Sequence, residues 1–237
     1  MKSYLTGLMV AVAAGSLQTA SAGDLSGSVK LEGTPPAEKT IDFSGPNEAT
    51  CGKLHPNPVT TRHYVVGSDK GLANVFVYVK EGATKSAAKG DAPVLDQVGC
   101  MYQPYVMGAM AGQDIAIRNS DPFMHNVHAM PKVSGNEGFN LAQVVKGQTN
   151  KKKFNNQEVL LRVQCDVHPW MFAYIGVTDN PYYAVTDKDG KFTIKDLPPG
   201  KYTLEAVHPK AGKKSQQITV EGSPKPVDFT LSVPAPQ

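Results

Sequence analysis

Three side chains able to hold a soft metal ion stand at tight spacing in Cys165-Asp166-Val167-His168-Pro169-Trp170-Met171: a thiol, an imidazole and a thioether in the order C-x2-H-x2-M. Thiolate and thioether suit reduced copper and imidazole suits both oxidation states, so the set fits an ion cycling between Cu(I) and Cu(II). Such an ion needs a second imidazole, and the stretch Asn119-Ser120-Asp121-Pro122-Phe123-Met124-His125-Asn126-Val127-His128 offers two. In an extended segment their odd separation sends the rings to opposite faces, so one of them joins the site rather than both. Taken singly, Cys165 reads as a buried or paired thiol, His168 as a loop residue and Met171 as core. Four donors in two segments favour a metal.

Other chemistries fit less well. Structural zinc closes with Cys or His, and Met in the fourth place argues for copper. A binuclear copper centre needs a second cysteine near Cys165, which the local sequence lacks, and no C-x-x-C-H is present for a c-type haem. No Ser-His-Asp set or paired carboxylate motif marks a hydrolase, so no catalytic residue is assigned and the chain is read as a non-enzyme. Met101, Met107, Met110, Met124 and Met130 crowd the same region. They suggest a copper carrier or chaperone, although most read more simply as core. A β-sandwich module that binds no metal is the third alternative.

The elements that must position these residues read as strands, because apolar residues alternate over short stretches bounded by Gly, Pro, Asn and Asp. The expected strands are 26–31, 63–66, 73–80, 114–119, 159–164, 172–177, 191–194, 202–207 and 216–220. Residues 83–92 are small and polar and read as a surface loop. No segment after the leader reads as a helix, so the chain is expected to be all-β. A turn cluster at Thr178-Asp179-Asn180-Pro181 marks a domain break.

Met1-Lys2, an apolar run over 5–17 and Ala20-Ser21-Ala22 read as a signal peptide over 1–22, too short in its apolar part to span a bilayer. The expected location is therefore periplasmic or otherwise exported, in an oxidising solvent, and no later stretch reads as a membrane span. Three cysteines leave one unpaired. Cys51 and Cys100 are read as a disulfide, with two separate thiols as the alternative. His55 and His63 could form a second site with Cys51, but such loop histidines are ordinarily surface residues. A net charge of +3 gives no nucleic-acid reading, and Lys151-Lys152-Lys153 reads as a solvated turn before it reads as a docking patch.

Two resemblances complete the reading. The M-H-N-V-H and C-x-x-H-P-(aromatic)-M segments resemble those of the blue (type 1) copper proteins of the cupredoxin superfamily, amicyanin and more distantly plastocyanin, over about residues 108–178. That resemblance implies a Greek-key β-sandwich and one type 1 copper ion held by His125, Cys165, His168 and Met171. It selects His125 over His128 and places Asn126 where the family has an Asn tying the two ligand loops together. It implies single-electron transfer with redox partners such as a cytochrome or a periplasmic oxidoreductase. Pro122, Phe123, Pro169 and Trp170 would form a small apolar docking surface, with core packing an equal reading for Trp170.

Farther along, Thr186-Asp187-Lys188-Asp189-Gly190-Lys191-Phe192-Thr193-Ile194 and Leu197-Pro198-Pro199-Gly200-Lys201-Tyr202-Thr203-Leu204 resemble the carboxypeptidase-regulatory-like, transthyretin-like sandwich. That implies a small accessory domain and no chemistry. The expected division is therefore 23–178 for the copper-bearing domain with an N-terminal extension, and 179–237 for the accessory domain.

Overall fold

A computed structural model describes residues 22–45, 48–222 and 224–235. The expected signal peptide lies outside these apart from Ala22. Sixteen strands occur among the described residues: β1 (Gly23–Glu32), β2 (Phe76–Glu81), β3 (Val94–Gln97), β4 (Tyr102–Gln103), β5 (Val106–Met110), β6 (Ile115–Asn119), β7 (His125–Met130), β8 (Phe139–Gln143), β9 (Thr149–Lys152), β10 (Glu158–Gln164), β11 (Phe172–Thr178), β12 (Tyr183–Val185), β13 (Lys191–Leu197), β14 (Gly200–His208), β15 (Gly212–Val220) and β16 (Val227–Ser232). One four-residue helix, α1 (Ala49–Gly52), breaks the all-β pattern. No helix among the described residues is long and apolar enough to cross a membrane.

Period-two burial drives these assignments. In β13, Phe192 and Ile194 are buried between exposed Lys191, Thr193 and Lys195, and in β16 Phe229 and Leu231 are buried between exposed neighbours. Expected strand 63–66 does not form. The Glu38 carboxylate accepts the His63 and Tyr64 amides at 3.0 and 2.6 Å, so those donors find a side chain instead of a neighbouring strand. Expected strand 73–80 starts late, because Asn74 has φ 61° and cannot lie in a pleat. Lys151 and Lys152 lie on β9 rather than in a turn.

Four sheets form two sandwiches. Sheets β5-β11-β10-β7-β8 and β4-β3-β6-β9 enclose a core that includes Leu95, Ile115, Ile117, Val127, Val163 and Ile175. Sheets β13-β1-β16 and β12-β2-β14-β15 enclose another, with Leu25, Val29, Val77, Ile194, Leu204 and Phe229. The strand pairing departs from the expected division at residue 178. The N-terminal segment expected to extend the copper-bearing domain gives β1 and β2 to the sandwich of the C-terminal strands. There β1 runs antiparallel to β13 and parallel to β16, and β2 lies between β12 and β14. In the core shared with the strands after residue 179, β1 and β2 supply Leu25, Val29, Leu31, Val77 and Val79.

β2 joins the two sandwiches. Val77 and Val79 face the core around Ile194, while Phe76 and Tyr78 point the other way, into an aromatic cluster with Tyr105, Phe172, Tyr174 and Tyr183. This layer needs a flat floor on the first sandwich. Gly108 of β5 and Gly176 of β11 are partners across the parallel pair. A Cβ on Gly176 would fall 2.5 Å from the Phe76 ring, and one on Gly108 would fall 2.1 Å from the Tyr183 ring. Gly176→Ala is therefore expected to destabilise the protein by about 1–3 kcal/mol through overpacking, read as a lower denaturant midpoint. An unchanged midpoint would show that the aromatic layer shifts freely.

Candidate metal centre

β7 begins at His125 and β10 ends at Gln164, and the two are antiparallel, with Gln164 opposite His128. Carried one residue further, that register sets Cys165 opposite Val127, two positions along β7 from His125. The buried Tyr102 hydroxyl fastens this corner by donating to Asn126 O at 2.6 Å and Gln164 O at 3.3 Å. The loop after Cys165 folds back through two backbone bonds, Cys165 N to Met171 O and Met171 N to His168 O, both 2.9 Å.

Within this corner a ring nitrogen of His125, one of His168 and the Cys165 sulfur all lie within 4.8 Å of one another. The two Nδ1 atoms are 3.2 Å apart, and His168 Nδ1 is 3.5 Å from Sγ. All three residues are buried, at 0%, 3% and 2% exposure. Met171 is wholly buried in the same core cluster as Cys165. His128 points away and pairs with the Asp166 carboxylate at 3.1 Å, half exposed.

Asn126 links the two segments. Its Oδ1 accepts Asp166 N at 2.7 Å and lies 3.2 Å from the Cys165 sulfur, while its Nδ2 donates to Asn140 Oδ1 and Asp166 Oδ2 at 2.7 and 3.0 Å. Asp166 also accepts from Gln164, His128 and Asn140, which hold its carboxyl far below the usual range.

Asp121 went unnoticed in the sequence, four residues before His125 in an irregular loop whose shape no periodicity reveals. The Asn119 side chain holds that loop by donating to Phe123 O and Gln143 O. Asp121 accepts Gly99 N at 2.7 Å, Cys100 N at 2.8 Å and the His125 Nε2 proton at 2.8 Å. Burial pushes its carboxyl up, but His125 and the two amides outweigh that and hold it below the ordinary value. Burial lowers His125, and Asp121 together with the Cys165 sulfur outweighs that and raises it. Asp121 holds one proton on Nε2, so when the ring loses its charge the proton leaves Nδ1, the nitrogen 3.2 Å from His168 Nδ1.

Burial pushes the Cys165 thiol up. The two imidazoles and the Asn126 and Val167 amides more than reverse this and bring it down to about 6, from an ordinary 9.0. Two imidazole nitrogens and a ready thiolate, buried together, are a donor set that suits copper. Cys51 and Cys100 form a disulfide, which leaves Cys165 as the free thiol among the described residues. The disulfide sulfurs also lie within 4.8 Å of a His168 ring nitrogen, but a disulfide offers no thiolate. His55 and His63 do not join Cys51 in a second donor cluster among the described residues. Met101, Met107 and Met110 are buried at 5% exposure each, whereas Met124 is open.

Comparisons with known proteins give partial matches. Residues 169–232 match the family described as carboxypeptidase regulatory-like domain. No curated protein matches the sequence. Among solved structures, the chain is similar to a copper-containing nitrite reductase from Thermus scotoductus SA-01, at 20% identity over 42% of this chain, with a TM-score of 0.35. The match spans 26% of that reductase's length. It is also similar to a purple cupredoxin from Nitrosopumilus maritimus, at 21% identity over 37% of this chain and 100% of that one, TM-score 0.31. An oxidised variant of amicyanin matches at 18% identity over 43% of this chain and 97% of that one, TM-score 0.33.

Two expectations follow from the geometry. In metal-free protein the thiolate ultraviolet absorbance should rise with pH through a midpoint at about 6, and His125→Ala should move that midpoint upward. A midpoint near 9 in the unsubstituted protein would rule out stabilisation of the thiolate by the imidazoles. Asp121→Ala should cost metal-free protein about 3 kcal/mol in denaturant unfolding, because it strands the buried His125 proton, the buried Cys100 amide and the part-buried Gly99 amide. A loss under about 0.5 kcal/mol, the size of an ordinary surface change, would show that water replaces the carboxylate without penalty.

Proposed function

We propose that the chain is an exported single-electron carrier holding one copper ion between the imidazoles of His125 and His168, the Cys165 thiolate and the Met171 thioether. The observation that carries this reading is the meeting of two Nδ1 atoms with a thiol of lowered pKa in one buried corner. Bound copper would supply the one-electron couple.

The chain's residues account for the rest. Asp121 keeps the His125 proton on Nε2 and frees Nδ1. The Asn126 and Val167 amides stabilise negative charge on Sγ. The backbone bonds that close the loop from Cys165 to Met171, together with the Asn126 links, hold the donors in place, so a change of one charge meets little rearrangement. Burial excludes water from all four side chains.

This reading assigns no substrate and no reaction beyond electron exchange, and its partners are redox proteins such as a cytochrome or an exported oxidoreductase. The expected leader and the disulfide favour an oxidising compartment. A copper chaperone is the weaker reading. Handing an ion on calls for accessible donors, whereas His168 and Cys165 are nearly closed off and three of the neighbouring methionines are core residues.

The test is the visible and electron paramagnetic resonance spectrum of Cu(II)-loaded protein beside that of Cys165→Ser. An intense thiolate-to-copper band with narrow hyperfine splitting, lost in Cys165→Ser, is the expected result. A weak, ordinary Cu(II) spectrum in the unsubstituted protein would reject the reading.

A further inference from the structure

His168 is 3% exposed, although Val167 and Pro169 on either side of it are open to solvent. The side chains over it come from a distant part of the chain. Cys51, on α1, is disulfide-bonded to Cys100, and the two sulfurs lie within 4.8 Å of a His168 ring nitrogen.

Further contacts fasten the same segment. Phe43 meets Trp170 edge-on, with ring centroids 5.2 Å apart, and lies flat against His55 at 5.4 Å. His55 Nε2 is 2.7 Å from Gly99 O, and Trp170 Nε1 donates to Cys100 O at 3.1 Å. The Gly99 and Cys100 amides are the pair that seats Asp121. One segment thus rests on both the loop that carries His168 and the loop that orients the carboxylate behind His125.

We infer that Phe43, Cys51 and His55 form a cover, pinned by the Cys51–Cys100 bond, that closes the His168 side of the centre to solvent, small reagents and docking proteins. Both cysteines are at 0% exposure, so the pin is shielded from dithiol reductants while the cover is closed. A partner must then approach from a different side, and Trp170, one of the four residues expected to form a docking surface, is engaged by the chain's own Phe43. The consequence for electron exchange rests on the copper reading above; the closure itself does not.

The test uses metal-free full-length protein, in which Cys165 is the free thiol among the described residues. Its alkylation by iodoacetamide is timed at a pH where thiolate absorbance is saturated, so that the rate reports access rather than ionisation. Cys51→Ser/Cys100→Ser, which removes the pin, should react about tenfold faster or more, with a cooperative melt retained. Phe43→Ala, which keeps the disulfide, should also react faster.

Unchanged rates in both folded variants would overturn the inference. If the double variant loses its cooperative melt, Phe43→Ala decides alone: an unchanged rate overturns the cover and a faster one supports it. Copper loading separates the two claims. Accelerated alkylation without any intense thiolate-to-copper band in the unsubstituted protein would keep the cover and reject the copper centre.

Discussion

The antiparallel pairing of β7 with β10 is the constraint on which the rest of the structure depends, because it brings the residue following one strand within two positions of the first residue of the other. A thiol and an imidazole forty positions apart in sequence meet without any long excursion of the backbone. Everything else at the corner refines that meeting. Tyr102 stitches the two strand ends, Asn126 stitches the two loops, and Asp121 fixes which nitrogen of His125 carries the proton. These are buried polar contacts, and each leaves an unsatisfied group behind if its partner goes, so the corner is stable as a set.

The second sandwich is built from both ends of the chain around the first. β1 and β2 precede the site-bearing strands, β12 to β16 follow them, and the two groups share one core. Between the sandwiches lies a layer of aromatic rings on a floor of paired glycines. Arg62 and Arg162 lie over Tyr105 and Phe172 at 4.8 and 4.9 Å, giving the edge of that layer a charged face. Because β11 begins one residue after Met171 and sends Phe172 and Tyr174 into the layer, the loop from Cys165 to Met171 is anchored to the joint between sandwiches.

Much of this was legible in the residues. The all-β class followed from alternation, and β6, β10, β11 and β13 lie where that pattern places them. The spacing of Cys165, His168 and Met171 marked one loop. What escaped has physical causes. β5 reads Val-Met-Gly-Ala-Met and is buried on nearly every position, so it has no alternation to detect. β7 begins at His125, where chemistry-bearing residues obscure the strand pattern. The membership of β1 is set by pairing with residues some 200 positions away, for example Ser28 with Asp228, which no local pattern encodes. Asp121 and the residues covering His168 act through irregular loops, where proximity comes from tertiary closure alone.

The parallel contact of β1 with β16 also bears on the order in which the chain can become structured. Strands β3 to β11 find all their partners among themselves, within one continuous stretch of sequence. β1, by contrast, meets only the short bridge at Gly71 and Leu72 before β13 and β16, its partner strands, exist, and closing that long loop is entropically slow. During vectorial synthesis or transport the first strand must therefore wait, with its apolar face unpaired, while the middle of the chain folds beside it. The corner of His125, Cys165 and His168 belongs to the part that can finish early.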